Sequence, residues 1–525
     1  MSGSSGRGFR LGRRRRGGSG GGGRGRSAHP VQTRRPIGRN VGRVGVTLAL
    51  AFAALAAGAG YWQVVRSTDL STSPDDPAVI SAMRHVPRGR ILDRNGTVVA
   101  SSRLDKNKEP YRIYRDRTMS QVIGYASRQY GLADLELTYD AELSGIRRAD
   151  PVADMLTKFQ THRYDPEDLK LTISLPLQRA AVRALGGDRG AVVMLDPRTG
   201  EVLALASTPT YDASALTNPD TAAATWKALN ADKSHPLLPR ATLGTYVPGS
   251  IMKIVTSIAA FRSGSITPNT TYKQQPAAEK TGLLVSGYRV RDGHHLFTGD
   301  KALDYEEAIE VSCNIYFALT GLRTGGAEMD AAARKLGFYA PIPFDLPTAT
   351  SQLTNGGGPL PGGFADRVEL ANAAYGQGET LVTPLQMALV AATVANDGVM
   401  MRPHLVQSFT GVNGTQQVGP SSLATVMPFN DAAIIKSAME RAVEGQFGRF
   451  FTSGAAVPGI PTAGKTGTAQ LGGSGEPHSW FIGFAPVDNP QIAIAVLVEN
   501  GGHGAARAAP MAGTLMKLFF ATAKK

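Results

Sequence analysis

Cysteine is almost absent from this chain of 525 residues, which has Cys313 alone. A single thiol excludes an internal disulfide, a zinc site built from several cysteines and an iron–sulfur cluster. Histidine does not suggest a metal site either. His294 and His295 are adjacent and would point apart, His503 lies in a glycine-rich loop, and no His-x-x-x-His spacing occurs. We therefore expect neither a metal ion nor a cofactor.

Acidic residues are missing from positions 1–43, which hold 12 of the 56 Lys and Arg residues. The rest of the chain has 44 basic against 42 acidic residues, so the formal net charge of +14 describes the tail. A nucleic-acid-binding domain would carry its positive charge on a folded face, and we expect no nucleic-acid partner. Because positions 1–40 are mainly Gly, Ser and Arg, residues 1–43 are predicted to be a disordered tail.

Long apolar runs are also missing, with one exception at residues 44–65. These 22 residues carry no charge and are bounded by Arg43 and Arg66. About 20 apolar residues are needed for a helix to cross a bilayer, which predicts a single transmembrane anchor. The preceding arginines place the N-terminus in the cytoplasm and everything after Arg66 outside the cell membrane. The alternative is a cleavable signal peptide, because the small residues Ala57–Ala59 resemble a cleavage site.

Residues 66–168 are predicted to be a short linker or pedestal. A polar spacer comes first, and residues 88–100 follow as an extended segment, an Asn-Gly turn and a second extended segment. That pattern predicts a β-hairpin. Residues 119–145 are amphipathic and helical in part, and no chemistry can be assigned to them.

Residues 169–525 are predicted to form one α+β domain. Short apolar strand patterns occur at its start and end, with mostly helical sequence between them through about residue 395. We therefore expect the C-terminus to complete an antiparallel sheet that helices cover. The predicted strands are 169–175, 190–195, 201–206, 463–470, 479–485 and 492–499, and the predicted flanking helices are 176–185 and 509–523.

Ser250 and Lys253 form the chain's single Ser-x-x-Lys pattern, at the start of a predicted helix after the turn Pro248–Gly249. Residues three apart share a helix face, so the amine can reach the hydroxyl. Burial of that face would lower the pKa of the amine, and neutral Lys253 could then activate Ser250 for covalent attack. The structural alternative is a serine that begins a helix and a solvated lysine.

Ser312 and Asn314 interrupt an apolar stretch in the order Ser-Cys-Asn. On a short turn the two could face one cavity, where the hydroxyl relays a proton and the amide holds a substrate peptide group. A buried turn or a helix start is the alternative. Cys313 between them is expected to point into the core as a small apolar side chain and not to act as a nucleophile.

A Lys-Thr-Gly-Thr segment lies on a predicted strand at residues 465–468. A lysine and two hydroxyls beside a glycine that permits close backbone approach suit a substrate with a carboxylate. An ordinary strand with a solvated lysine is the alternative. The same tripeptide occurs at residues 280–282, where we expect a loop outside the site, since Leu-Leu follows it and it precedes the Ser-x-Asn pattern.

In this order, the three patterns resemble the motifs of penicillin-binding proteins and serine β-lactamases. Family-like stretches extend the similarity over roughly residues 86–525. The chain resembles a class B penicillin-binding protein, a monofunctional peptidoglycan D,D-transpeptidase. The resemblance implies a serine D,D-peptidase or β-lactamase-like transpeptidase domain over residues 169–525.

The resemblance further implies acyl transfer. A serine would attack a stem peptide ending in D-Ala-D-Ala, release the terminal D-Ala and pass the acyl group to a neighbouring amine, while β-lactams would inhibit it. The residues implied in catalysis are Ser250, Lys253, Ser312 and Lys465. The residues implied in substrate binding are Asn314, Thr466, Gly467 and Thr468. The backbone N–H groups of Ser250 and Thr468 would form the oxyanion hole. The implied partner is a membrane-embedded glycan polymerase.

Other functions remain open at this point. A D,D-carboxypeptidase would pass the acyl group to water, and a β-lactam sensor or scaffold would not catalyse at all. A β-lactamase is weakly supported, because the Glu-x-x-Leu-Asn element of class A enzymes is absent. A glycosyltransferase domain has no room between the predicted anchor and the transpeptidase domain.

Overall fold

The structure is a computed structural model, and it describes residues 37–61, 87–145, 165–292, 295, 301–471 and 475–523. The predicted tail up to residue 36, residues 62–65 of the predicted anchor and the polar spacer over residues 67–85 lie outside the described residues. The chain divides into two units, residues 1–70 and residues 71–525.

The helices, in chain order, are α1 (Ile37–Gly60), α2 (Ser120–Ile123), α3 (Asp134–Thr138), α4 (Asp140–Ser144), α5 (Leu175–Leu185), α6 (Ala213–Thr217), α7 (Ala222–Ala231), α8 (Met252–Arg262), α9 (Gln275–Thr281), α10 (Tyr305–Glu310), α11 (Asn314–Thr324), α12 (Gly326–Lys335), α13 (Arg367–Ala374), α14 (Pro384–Ala395), α15 (Phe429–Glu444), α16 (Gly448–Thr452) and α17 (Ala508–Ala523). The strands are β1 (Ile91–Leu92), β2 (Val98–Leu104), β3 (Pro110–Tyr114), β4 (Ala126–Ser127), β5 (Gly131–Leu132), β6 (Asp168–Leu171), β7 (Gly190–Leu195), β8 (Val202–Thr208), β9 (Leu283–Val285), β10 (Tyr288–Val290), β11 (Val399–Met401), β12 (Val406–Gly411), β13 (Gly414–Gln417), β14 (Ser422–Thr425), β15 (Ala463–Ala469), β16 (His478–Ala485) and β17 (Ile492–Val498).

Helix α1 belongs to the first unit. Within the described part of the chain, no helix combines the length and the apolar character that a membrane crossing requires. The transmembrane anchor over residues 44–65 therefore stays a prediction.

The second unit is centred on a five-stranded antiparallel sheet in the order β15-β16-β17-β7-β8. Two of these strands come early in the second unit, and the other three lie near its C-terminal end. The prediction that the C-terminus completes an antiparallel sheet is therefore confirmed. The predicted strand bounds agree with the observed ones to within one or two residues, apart from the first strand, which ends at residue 171.

Alternate side chains of this sheet enter two separate cores. Val193 and Trp480 lie in the core that contains α14, whereas Val192 and Phe481 lie in the core that contains α5 and α17. Successive strand residues point to opposite faces, so both faces of the sheet are covered by helices. Burial of both faces removes most of the apolar strand surface from water, which is the main stabilising contribution here.

A second sheet of six strands has the order β13-β12-β6-β1-β2-β3. Strand β6 pairs in parallel with β1 and antiparallel with β12. The predicted hairpin over residues 88–100 is confirmed, but the central residues of its turn are Arg94 and Asn95, and the N–H of Gly96 closes the turn by donating to the carbonyl oxygen of Asp93 at 3.0 Å. This sheet contains strands from both sides of residue 169, where the linker region was predicted to end and the α+β domain to begin. The boundary at residue 169 stays a prediction.

A buried charge network lies beside this second sheet. The carboxylate of Glu136, which has no solvent exposure, accepts hydrogen bonds from Arg112 Nε at 2.7 Å, Arg88 Nε at 2.8 Å and Tyr114 Oη at 3.1 Å. The two guanidinium charges hold the pKa of Glu136 below its ordinary value despite its burial. A buried carboxylate needs such partners, because removal of one would leave an uncompensated charge.

Candidate active site

The turn that carries Ser250 is a 3₁₀ turn over Gly249–Ile251, which leads directly into α8. Gly249 has φ +59°, and its N–H donates to the carbonyl oxygen of Gly376 at 2.8 Å. A Cβ at Gly249 would lie 2.7 Å from the carbonyl oxygen of Thr468, and a Cβ at Gly376 would lie 1.9 Å from that of Gly249. Gly249 therefore allows the turn to lie close against β15, and Gly376 allows the segment after α13 to lie close against the turn.

Lys253 is fully buried in the first turn of α8. Its Nζ lies 3.0 Å from Ser250 Oγ, 3.1 Å from Ser312 Oγ and 2.7 Å from Asn314 Oδ1. It also lies 2.5 Å from the carbonyl oxygen of Ser312. The helical spacing of Ser250 and Lys253 thus places the amine against the hydroxyl as expected, and the solvated lysine is excluded.

Burial lowers the pKa of Lys253 to about 8, while the negative charge of Asp292 acts in the opposite direction. A buried ammonium is disfavoured because it has lost its hydration, so the neutral form of this amine is far more populated near physiological pH than that of an ordinary lysine. A neutral amine has a lone pair that can accept the proton of Ser250.

The Ser-Cys-Asn segment forms a tight turn at the start of α11. Ser312 has φ +62°, a left-handed backbone conformation that is strained for a non-glycine residue. Asp292 accepts hydrogen bonds through Oδ2 from the N–H groups of Asn314, at 2.5 Å, and Ile315, at 3.2 Å. Cys313 is fully buried, as predicted. The strained turn holds both polar side chains against the Lys253 amine.

Strand β15 passes the other side of the serine turn. A Cβ at Gly467 would lie 2.7 Å from the carbonyl oxygen of Pro248, so this glycine permits the contact. Lys465 is buried on β15, and burial followed by the positive charge of Lys253 lowers its pKa well below the ordinary value. Thr468 accepts through Oγ1 from the N–H of Gly504 at 3.3 Å.

The structure therefore assembles the three predicted patterns around one point. Ser250, Ser312 and Asn314 contact the same amine, and the strand with Thr466, Gly467 and Thr468 lines the turn that holds the serine. The roles of these side chains in a reaction remain predictions at this stage. The solvated-lysine alternatives for Lys253 and Lys465 are excluded by their burial.

Sequence reasoning missed Asp292, and nothing in its local sequence distinguishes it from any loop aspartate. The repeated tripeptide at residues 280–282 was expected in a loop, but its first two residues lie at the end of α9. Lys280 is exposed, whereas the preceding Glu279 faces the turn and accepts from Cys313 Sγ at 3.3 Å. Three-residue patterns do not indicate which neighbouring side chain faces a site.

Comparisons with known proteins agree with this geometry. Residues 190–517 match the family model described as penicillin binding protein transpeptidase domain, which covers more than half of the chain. The chain belongs to the penicillin-binding proteins. Residues 88–163 of this penicillin-binding protein also match the penicillin binding protein A dimerisation domain. The resemblance stated from the three motifs is confirmed.

Related proteins extend the similarity over most of the chain. It is 33% identical over 500 residues to peptidoglycan D,D-transpeptidase PbpA of Mycolicibacterium smegmatis, covering 89% of this chain and 96% of the relative. It is 30% identical to peptidoglycan D,D-transpeptidase MrdA of Acinetobacter baumannii, covering 75% of this chain and 61% of the relative. The ceftriaxone acyl-enzyme complex of penicillin-binding protein A from M. tuberculosis superposes with a TM-score of 0.73 at 31% identity, covering 83% of this chain and 99% of that structure.

Proposed function

We propose that this penicillin-binding protein is a peptidoglycan D,D-transpeptidase that forms an acyl-enzyme on Ser250. The observation that carries the proposal is the buried Lys253 amine, which lies within 3.1 Å of the hydroxyls of both Ser250 and Ser312. The D,D-transpeptidase names of the relatives and the β-lactam acyl-enzyme complexes of the mycobacterial protein support the same reaction.

In the first half-reaction, the neutral amine of Lys253 removes the proton of Ser250 as its Oγ attacks the carbonyl carbon of the penultimate D-Ala. The N–H groups of Ser250 and Thr468 stabilise the negative oxygen that develops. The C–N bond then breaks, and the proton passes from Lys253 through the Ser312 hydroxyl to the departing D-Ala amine. Asn314 and Thr466 bind the donor peptide, and Lys465 binds its terminal carboxylate.

In the second half-reaction, the amine of a neighbouring stem peptide attacks the ester carbon. The amine loses a proton to Lys253, the C–O bond breaks, and the proton returns to the Oγ of Ser250. The products are a cross-linked peptide and the free enzyme. Entry of water in place of the amine would instead make the protein a D,D-carboxypeptidase.

The acceptor decides between these two reactions. With a synthetic donor ending in D-Ala-D-Ala and an excess of an amine acceptor, we expect the transfer product to exceed the hydrolysis product, because the site is formed for an amine. Mass spectrometry of the products measures the ratio, and the Ser250→Ala variant gives the background. Hydrolysis that predominates at saturating acceptor would show a carboxypeptidase, and no turnover by folded protein would favour a sensor or scaffold.

We also propose that residues 44–65 anchor the protein in the cell membrane, with the tail in the cytoplasm and the catalytic domain outside. The uncharged run and the 12 arginines in residues 1–43 support this topology. The proposed partner is a glycan polymerase embedded in the same membrane.

Protease added to intact spheroplasts should digest the domain after Arg66 and leave the tail protected. A soluble mature protein that begins near Gly60 would instead show a cleaved signal peptide.

A further inference from the structure

The approach segment, residues 240–249, leads to Ser250 and is held by a carboxylate from the central sheet. Glu499 follows β17, and 11% of its side chain is exposed. Its Oε1 accepts hydrogen bonds from Tyr246 Oη at 2.8 Å and Arg240 Nε at 2.7 Å, and its Oε2 lies 3.0 Å from Arg189 Nε. One side chain from the sheet therefore binds two residues of the approach segment.

The charges and protons of this group are well defined. The buried guanidinium of Arg240 also donates to the carbonyl oxygens of Ser234, at 2.7 Å, and His235, at 3.1 Å. Burial and the negative charge of Glu499 raise the pKa of Tyr246 above its ordinary value, so its hydroxyl keeps the proton that it donates. Hydrogen bonds to an ionised carboxylate are stronger than neutral ones, and these bonds therefore fix the start of the approach segment.

A tryptophan from the same sheet holds the later part of the approach segment. Trp480 on β16 is fully buried, and its Nε1 donates to the carbonyl oxygen of Val247 at 3.0 Å. The ring of Tyr246 lies edge-on to that of Trp480, with the ring centroids 6.2 Å apart. The approach segment is thus bound to both β16 and the end of β17 before it reaches the serine turn.

The register of the sheet connects these contacts with the expected oxyanion hole. Thr468 pairs with Ser479, and Ser479 pairs with Val498, so the three residues form one row across β15, β16 and β17. Glu499 is the next residue after that row. Its carboxylate therefore binds the approach segment to the part of the sheet that contains the N–H of Thr468.

We propose that Glu499 is a positioning residue for acylation, which acts through Tyr246 and Arg240 to set the N–H of Ser250 against the N–H of Thr468. This inference rests on the proposed acyl transfer at Ser250. Fixed donors stabilise the charge that develops in the transition state, and small displacements of them reduce the rate. Loss of these contacts should therefore slow the chemical step and leave noncovalent binding of the acyl donor unchanged.

The test is the Tyr246→Phe variant of the full-length protein, which removes one hydrogen bond to Glu499 and leaves the ion pair with Arg240 in place. Acylation by a fluorescent penicillin is followed up to saturation by rapid quenching and denaturing gel electrophoresis. The limiting rate should fall by about 10-fold, less than the roughly 10²-fold that a displacement of about 1 Å can cost, and the half-saturating concentration should not change.

The matched control is Tyr139→Phe. The Tyr139 hydroxyl also donates to a carboxylate at 2.8 Å, that of Asp345, but it lies outside the approach segment. Its loss should leave the limiting rate at the wild-type value. A second variant, Glu499→Gln, should slow acylation further. Combined with Tyr246→Phe, it should cost less than the product of the two single losses, because both substitutions act on one hydrogen bond.

The limiting rate decides between positioning and a merely structural role. A structural role would reduce the fraction of protein that takes the label and leave the limiting rate of that fraction unchanged. That result in folded Tyr246→Phe would overturn the proposal, as would a higher half-saturating concentration at an unchanged limiting rate.

Hydrogen exchange of the peptide that contains Ser250, measured by mass spectrometry, tests the positioning without acylation. Exchange should be faster in Tyr246→Phe than in the wild type and in Tyr139→Phe. Unchanged exchange beside a lowered rate would overturn positioning in favour of a direct effect of the hydroxyl. Folded wild-type protein that takes no label would instead refute the proposed function, so the two failures are distinguishable.

Discussion

Replacement of Ser250 by alanine should abolish covalent labelling by a fluorescent penicillin. A β-lactam resembles the acyl-D-Ala-D-Ala terminus, so the Ser250 oxygen should open the ring and keep the acyl group as an ester. Water reaches that ester poorly in a site formed for an amine acceptor, which makes the label stable. Denaturing gel electrophoresis followed by fluorescence imaging measures the label.

The matched control for this variant is Ser263→Ala at the far end of the same helix. The Ser263 hydroxyl bonds only to local groups in the described structure, the carbonyl oxygen of Ala260 and the hydroxyl of Ser265. Its loss should leave labelling at the wild-type level. Retained label in a folded Ser250→Ala protein would show that another side chain is the nucleophile.

Replacement of Lys253 by alanine should slow acylation by about 10²–10⁴-fold, the range expected for loss of a general base. The fold should persist, since the substitution removes a buried amine whose desolvation is unfavourable. Lys335→Ala, which changes an exposed lysine at the end of α12, is the control and should acylate at the wild-type rate. Circular dichroism verifies the fold of each variant, and stopped-flow fluorescence measures the rates.

The same lysine predicts the pH dependence of acylation. Its pKa is lowered to about 8, so the neutral form increases as pH rises from 6 to 9 and the acylation rate should rise with it. The acylation rate should rise and not fall with pH, because only the neutral amine can accept the serine proton. In Lys253→Ala this rise should disappear. A wild-type rate that is constant from pH 6 to 9 would contradict the assignment of Lys253 as the base.

The sequence predicted the site better than it predicted the surroundings of the site. Ser250 and Lys253 could be paired from helix geometry alone, because three residues of spacing place them on one face. The strands of the central sheet could be located because each is a short apolar run between turn residues. Those features are local, and the structure has them at the expected positions.

Features that depend on distant parts of the chain could not be predicted. The bonds from Asn314 and Ile315 to Asp292 join residues more than 20 positions apart, and the network at Glu136 joins residues up to 48 apart. The second sheet pairs β6 with strands far away in either direction. A single sequence records which segments are apolar or polar, but not which segments pair.

The side chains behind the Ser-Cys-Asn turn show the same limit. Glu279, Asp292 and His295 are ordinary loop or helix residues until α9 and the start of α11 bring them together. The turn that the motif defines is therefore supported from behind by side chains outside the motif.

The measurement that tests the central claim most directly is a peptide map of wild-type protein after incubation with benzylpenicillin. Intact mass should increase by one penicillin per chain, and tandem mass spectrometry should place the adduct on the Ser250 hydroxyl. Folded protein without an adduct would contradict acyl-enzyme formation. An adduct on a peptide that lacks Ser250 would contradict the assignment of the nucleophile.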